Sequence, residues 1–204
     1  MPSQALQDLN LRLKDIDQLL EAHTALTKFK KAEKAAKQPG LRKILTVVDA
    51  LVTAPGKGKP AEVDAINRAA FVLLTAHFQG FVDDLHKDLA TKLLTGKVTS
   101  VDEVIELAKP RNANPHSQII EKMFGGLGVF EVMSRIKWQK CSNDSVKKRL
   151  TGYIQTRNKI AHGSRLSVTK QKVKQYMQFV QKLAEELDKA VSVSAKKFTG
   201  ITPW

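Results

Sequence analysis

The 204-residue chain, 42% hydrophobic, is long enough to bury one substantial core and short for two comfortable domains. It has neither the roughly eighteen uninterrupted apolar residues of a membrane span nor the apolar block of a signal peptide, and its single cysteine, Cys141, excludes an internal disulfide or a cysteine-rich zinc site, so a cytoplasmic protein without a membrane partner is expected. The net charge of +14 is lopsided: residues 1–109 hold 16 bases and 14 acids, net +2, while residues 110–204 hold 18 and 6, net +12, which suits a polyanion partner such as nucleic acid and equally a solubilising surface.

Ser3 is a good N-cap, and Leu6, Leu9, Leu13, Ile16 and Leu20 follow at steps of three and four, which predicts a long amphipathic helix with a polar tail, KKAEKAAKQ. Pro39 and Gly40 end it, and Leu41 to Ala54 (LRKILTVVDALVTA) predicts a shorter second helix. PGKGKP, Pro55 to Pro60, reads as a linker. The expected division is an N-terminal helical extension over 1–54, a linker over 55–61 and the main helical domain over 62–204. From Glu62 to Leu94 the residues Ile66, Ala70, Leu73, Leu74, His77, Phe81, Leu85 and Leu89 track one face of a long helix that Gly96 ends. A short helix near Val101 to Ala108, the basic loop KPRNANPH and a helix over Gln118 to Met123 come next. The FGGLG turn has neither the Lys and Ser/Thr of a phosphate loop nor the spacing of a dinucleotide fingerprint, and a helix is expected beyond it over Val129 to Trp138. Asn143 to Ser145 supply capping chemistry for a helix running to His162, and Ser167 does so for a last helix from Val168 to about Lys197. Nothing in the pattern predicts a strand, so the expected class is all-α.

One segment breaks the pattern. On a wheel at about 100° per residue, Val146, Leu150, Tyr153, Ile160 and Ala161 form a single stripe, and Arg157 lands about 20° from Val146, near its centre. A guanidinium there must be paired or must face a cleft or a subunit seam, because an unpaired buried charge is costly. The alternatives are an Arg that snorkels to water or one that holds a structural carboxylate. Asn158 and His162, four residues apart, are neighbours on one flank, and Gly163 looks like a helix terminator. Such a set could bind a phosphodiester; it could also merely cap the helix.

The run Arg157 to Gly163, RNKIAHG, resembles the R-x4-H signature of the HEPN superfamily, and the likeness is closest to its RiboL-PSP-HEPN group. Ile66 to Leu85 (INRAAFVLLTAHFQGFVDDL) resembles the family's other long core helix, and FGGLGVF sits where similar chains carry a short loop. The resemblance spans roughly residues 62 to 192. Similar chains often carry an acidic residue where this one has Gln79.

The resemblance implies an antiparallel helical bundle of HEPN type with an N-terminal helical extension, dimerising so that the motif helices face each other across a cleft. It further implies a metal-independent ribonuclease of toxin-antitoxin or antiphage systems, with an antitoxin or regulatory protein as a possible partner. Arg157 would stabilise charge on the scissile phosphate, His162 would move protons and Asn158 would orient the phosphate or the imidazole. No metal or other cofactor is called for, because RNA carries its own nucleophile in the 2′-OH. Arg157 and His162 lie roughly 140° apart on an ideal helix, so one chain's pair cannot easily grip one phosphate; a two-fold homodimer would form a composite site. Lys147, Lys148, Arg149, Lys159 and Arg165, with Lys170, Lys172 and Lys174, are candidates to track an RNA backbone, or are solvated charge. Asp83, Asp84 and Asp88 form an acidic patch that could pair with Arg157 or face water. His23, His77, His86 and His116 are scattered and lack metal-site spacing, which makes them surface or core residues. The competing readings are a catalytically silent HEPN module that binds RNA or protein as a regulatory subunit, and a helical DNA binder, for which no helix-turn-helix pattern speaks.

Overall fold

The computed structural model describes residues 1–35, 61–108 and 114–204. Six helices run through them: α1 (Gln4–Ala35), α2 (Ala61–Leu94), α3 (Val101–Ala108), α4 (Ser117–Gly125), α5 (Asn143–Ala161) and α6 (Lys170–Thr199), with one 3-10 turn over Met133–Arg135. Among the described residues there is no strand, only an isolated bridge between Trp138 and Cys141, so the all-helical class read from the sequence holds. The helix expected over Leu41 to Ala54 and the linker at Pro55 to Pro60 lie outside the described residues.

Contacts between helices set their directions. Ala5 meets Asp88, Arg12 meets Asp84, and His77 lies 3.3 Å from Asp15, so α1 and α2 run antiparallel. Ser3 meets Asp188 and Thr24 accepts from Lys170, which makes α1 antiparallel to α6. Tyr153 stacks on Tyr176 and Arg149 covers Phe179, so α5 opposes α6. Leu6, Leu9, Leu13, Ile16 and Leu20 of α1 are buried in the same apolar cluster as Phe71, Leu74, Phe81 and Leu85 of α2 and Tyr176, Val180 and Leu183 of α6. The first helix therefore helps to build the core on which α5 rests.

α1 is pinned at its start by polar groups as well. Ser3 caps it, its hydroxyl accepting from the Leu6 amide, and the free amides of Ser3 and Ala5 donate to the carboxylates of Asp188 on α6 and Asp88 on α2. These acceptors satisfy donors that every helix leaves open in its first turn. Burial raises the pKa of both carboxyl groups above the ordinary aspartate value, against the pull of their hydrogen bonds to the α1 backbone.

The structure corrects several expectations. Residues Val129 to Trp138 are not helical apart from the single 3-10 turn. Val129, Val132, Met133 and Ile136 are all buried, so helical spacing here reflects inward-facing residues of an irregular strap. Tertiary partners take its backbone: the Glu121 carboxylate accepts from the amides of Met133 and Ser134, and the Asn143 amide donates to the carbonyls of Met133 and Ile136. The cap of α5 is Ser142, one residue before the expected group, because Asn143 is committed to that strap. The cap of α6 is Thr169 in place of Ser167, since the Asp64 carboxylate on α2 draws the Ser167 hydroxyl and the Val168 amide out of helical register.

Candidate functional site

α5 carries the motif, and its end is well defined. His162 is the C-cap, Gly163 takes a left-handed φ of 81°, the Gly163 amide donates to the Ile160 carbonyl, and that of Ser164 donates to Lys159. This is a Schellman termination, which a glycine just past the cap permits without steric cost. The buried face of α5 is Val146, Leu150 and Ile154, with Tyr153 and Ile160 half-buried beside it. Ala161, expected on that stripe, is exposed because the helix outruns the core there.

Arg157 is half-buried, one turn beyond Ile154. Its Nη1 donates to the Asn158 side-chain oxygen at 3.2 Å, and its Nε is buried without an acceptor. On the inner side of the same helix lies an aromatic block in which Tyr153 stacks on Tyr176 with ring centroids 4.1 Å apart, flanked by Phe71 and Phe179. Burial pushes the Tyr176 phenol far above its ordinary pKa, while its hydrogen bond with Thr75 and the positive charge of Arg157 act in the opposite direction. The guanidinium is thus half-buried and close enough to the Tyr176 phenol for its charge to act there, in surroundings where an unmet N–H costs about 1–3 kcal/mol.

Asn158, also half-buried, is joined to Arg157 and to Asn114, whose Nδ2 lies 3.2 Å from the same Asn158 oxygen. His162 is exposed at the helix end, its backbone amide bonded to the Asn158 carbonyl at 2.9 Å. Of the cations expected to meet RNA, Lys148, Lys159 and Arg165 are exposed and Lys147 is half-exposed. Arg149 lies 4.8 Å over the Phe179 ring, Lys172 lies 5.9 Å over Phe71, and Lys170 is hydrogen-bonded to Thr24, so these three are engaged in packing the bundle as well. From Arg135 to Lys174 the chain holds 12 bases and one acid, Asp144.

The acidic patch does not assemble around Arg157 as a unit: Asp84 pairs with Arg12 at 2.7 Å and Asp88 accepts from Ala5, both facing α1. His77 and His86 belong to the packed interior, His77 with its pKa lowered by burial and His86 bonded to the Met123 carbonyl. Asn114 could not be singled out along the chain. Its only local signal is the Asn-Pro step in the loop before α4, and nothing local links it to a residue 44 positions away.

The fold and this group of side chains define an all-helical domain with an Arg, an amide and an imidazole at the end of one helix, in a strongly basic part of the chain. The RiboL-PSP-HEPN family profile matches residues 84–193, more than half of the chain, and the chain belongs to that family. The match begins inside α2, later than the resemblance near residue 62 suggested, and it contains RNKIAHG whole. A HEPN domain points to a nuclease or an RNA-binding module. No curated protein and no solved structure matches the chain. Among the described residues, no helix is long and apolar enough to cross a membrane.

Proposed function

We propose that this protein is a metal-independent endoribonuclease that cleaves RNA by attack of its 2′-OH on the adjacent phosphate. The observation that carries the reading is the half-buried Arg157, with its Nε unmet and one amino group held by Asn158, in a stretch of 12 bases and one acid. A side chain there costs stability unless something anionic completes it.

The chemistry follows from the groups present. An imidazole of His162 takes the proton of the 2′-OH, the oxygen attacks phosphorus, and the bond to the 5′-oxygen breaks as that oxygen takes a proton from a protonated His162 imidazole, leaving a 2′,3′-cyclic phosphate and a 5′-OH. Arg157 stabilises the charge that grows on the non-bridging oxygens, and Asn158 orients the phosphate. Arg157 turns toward the core while His162 is exposed at the C-cap, which supports a composite site in a two-fold homodimer, where one copy's Arg157 works with the other's His162. Lys147, Lys148, Lys159 and Arg165 track the backbone, with Arg149 at the edge of the aromatic block. In this reading the enzyme is the effector of a toxin-antitoxin or antiphage system, held in check by a partner protein.

Purified protein incubated with total RNA and with tRNA in EDTA should yield fragments ending in cyclic phosphate, and Arg157→Ala and His162→Ala should each lower the rate by at least about a hundredfold. Cleavage that survives both substitutions refutes the assignment. One observation favours a second reading: Gln79 stands where similar chains often carry an acid, which suits a catalytically silent module that binds RNA or protein. RNA binding without cleavage in the same assay selects it.

A further inference from the structure

We propose that Asn114 is a positioning residue of this site, acting through Asn158; the inference rests on the RNA-directed reading above. Asn114 comes from the loop before α4, outside the motif helix, and its Nδ2 shares the Asn158 side-chain oxygen with Arg157 Nη1, each at 3.2 Å. The polarity of this chain is forced. A guanidinium has donors only, so the amide atom facing Arg157 must be oxygen, and Asn114, meeting that same oxygen, must present its nitrogen.

The Asn158 oxygen is thereby consumed from two sides, and its Nδ2 has no acceptor among the described residues. Arg157 spends one of its five N–H groups on Asn158, and its buried Nε has no acceptor. The donors left for an incoming oxyanion are the two N–H groups of the Asn158 amide and those of the guanidinium amino groups, while the Asn158 oxygen is already occupied. Without Asn114 the Asn158 amide loses one of the two bonds that set its rotamer and its flip. Flipped, it would turn an oxygen toward the phosphate and a nitrogen toward the guanidinium, and both approaches are repulsive. Asn114 is held for this task by local structure: its carbonyl accepts from the His116 amide at 2.8 Å, and the next residue, Pro115, is buried.

The test is a double-mutant cycle on Asn114→Ala and Asn158→Ala, with Asn114→Asp as an isosteric variant, each checked by thermal melting for folding. Cleavage is followed on a fluorescein-labelled RNA oligonucleotide and affinity on its 2′-methoxy counterpart, which binds but cannot react. Asn114→Ala should lower kcat about tenfold, and Asn114→Asp more, because a carboxylate at that point pulls the Asn158 nitrogen inward and competes for Arg157. In the Asn158→Ala background, Asn114→Ala should have no further effect, which a merely structural role would not produce. Should the wild type bind without cleaving, the same cycle is read in affinity for the methoxy probe. Wild-type behaviour of both Asn114 variants, or additive losses in the double variant, overturns the positioning role and leaves the ribonuclease reading intact. A wild type that neither binds nor cleaves overturns both.

Discussion

Arg157 occupies the place on α5 that packing would give to an aliphatic side chain, one turn past Ile154 and near enough to Tyr176 for its charge to act on the phenol. Its buried Nε lacks an acceptor, so the residue burdens the fold. On the proposed reading, that cost is borne for the sake of RNA binding. Arg157→Leu should therefore raise stability by about 1–2 kcal/mol, which for a domain of this size moves Tm up by about 3–6 °C, while RNA cleavage and binding disappear. Scanning calorimetry beside the cleavage assay reads both, and a lowered Tm for Arg157→Leu would mean that the guanidinium is a structural element of the core. Much of this was legible in the sequence: the wheel placed Arg157 on the inner stripe and Gly163 past the helix end. The identity of its neighbour was not, because Asn114 comes from a separate loop.

Among the elements, α1 shows how a helix beyond the family match becomes part of the working domain. Its leucine stripe fills the core beside α2 and α6, and its first-turn amides are received by Asp88 and Asp188. Both carboxyls have folded-state pKa values raised by burial, so the folded chain holds their protons more tightly than the unfolded one does. Their contribution to stability is then fully present while they are protonated and declines as pH climbs from about 4 through the raised values. Asp188→Asn keeps an oxygen for the Ser3 amide and removes the buried charge. Its Tm relative to wild type should improve as pH rises from about 4 to about 7. Melts at a series of pH values check this, and a difference that is flat or favours wild type at neutral pH would show that the carboxylate is stabilised by the α1 terminus after all.

For the molecule as a whole, the charge imbalance acquires a location. The basic stretch from Arg135 to Lys174 takes in α5, the segments on either side of it and the start of α6, with Lys148, Lys159 and Arg165 exposed. RNA affinity should fall steeply with salt, and neutralising Lys148 and Lys159 by Gln should weaken binding across sequences and flatten the log–log salt slope by about 0.7 for each phosphate no longer neutralised. Fluorescence anisotropy over a salt series measures the slope; unchanged slopes would place the RNA track elsewhere. Light scattering at micromolar concentration should return twice the monomer mass, and a strict monomer that still cleaves would exclude the composite site.

What the sequence determined by itself was local: the long helices, the Gly163 termination, the inward place of Arg157 and the concentration of charge near it. Helix periodicity and capping depend on residues within a turn or two of each other, so they can be read along the chain. The tertiary structure decided what depends on distant partners. Glu121 and Asn143 turn the apolar spacing of Val129 to Ile136 into an irregular strap, Asp64 moves the start of α6, Asp88 and Asp188 receive α1, and Asn114 completes the hydrogen-bond chain at Arg157. Each is a polar group satisfied by one from another element, and only the closed fold brings the two within bonding distance.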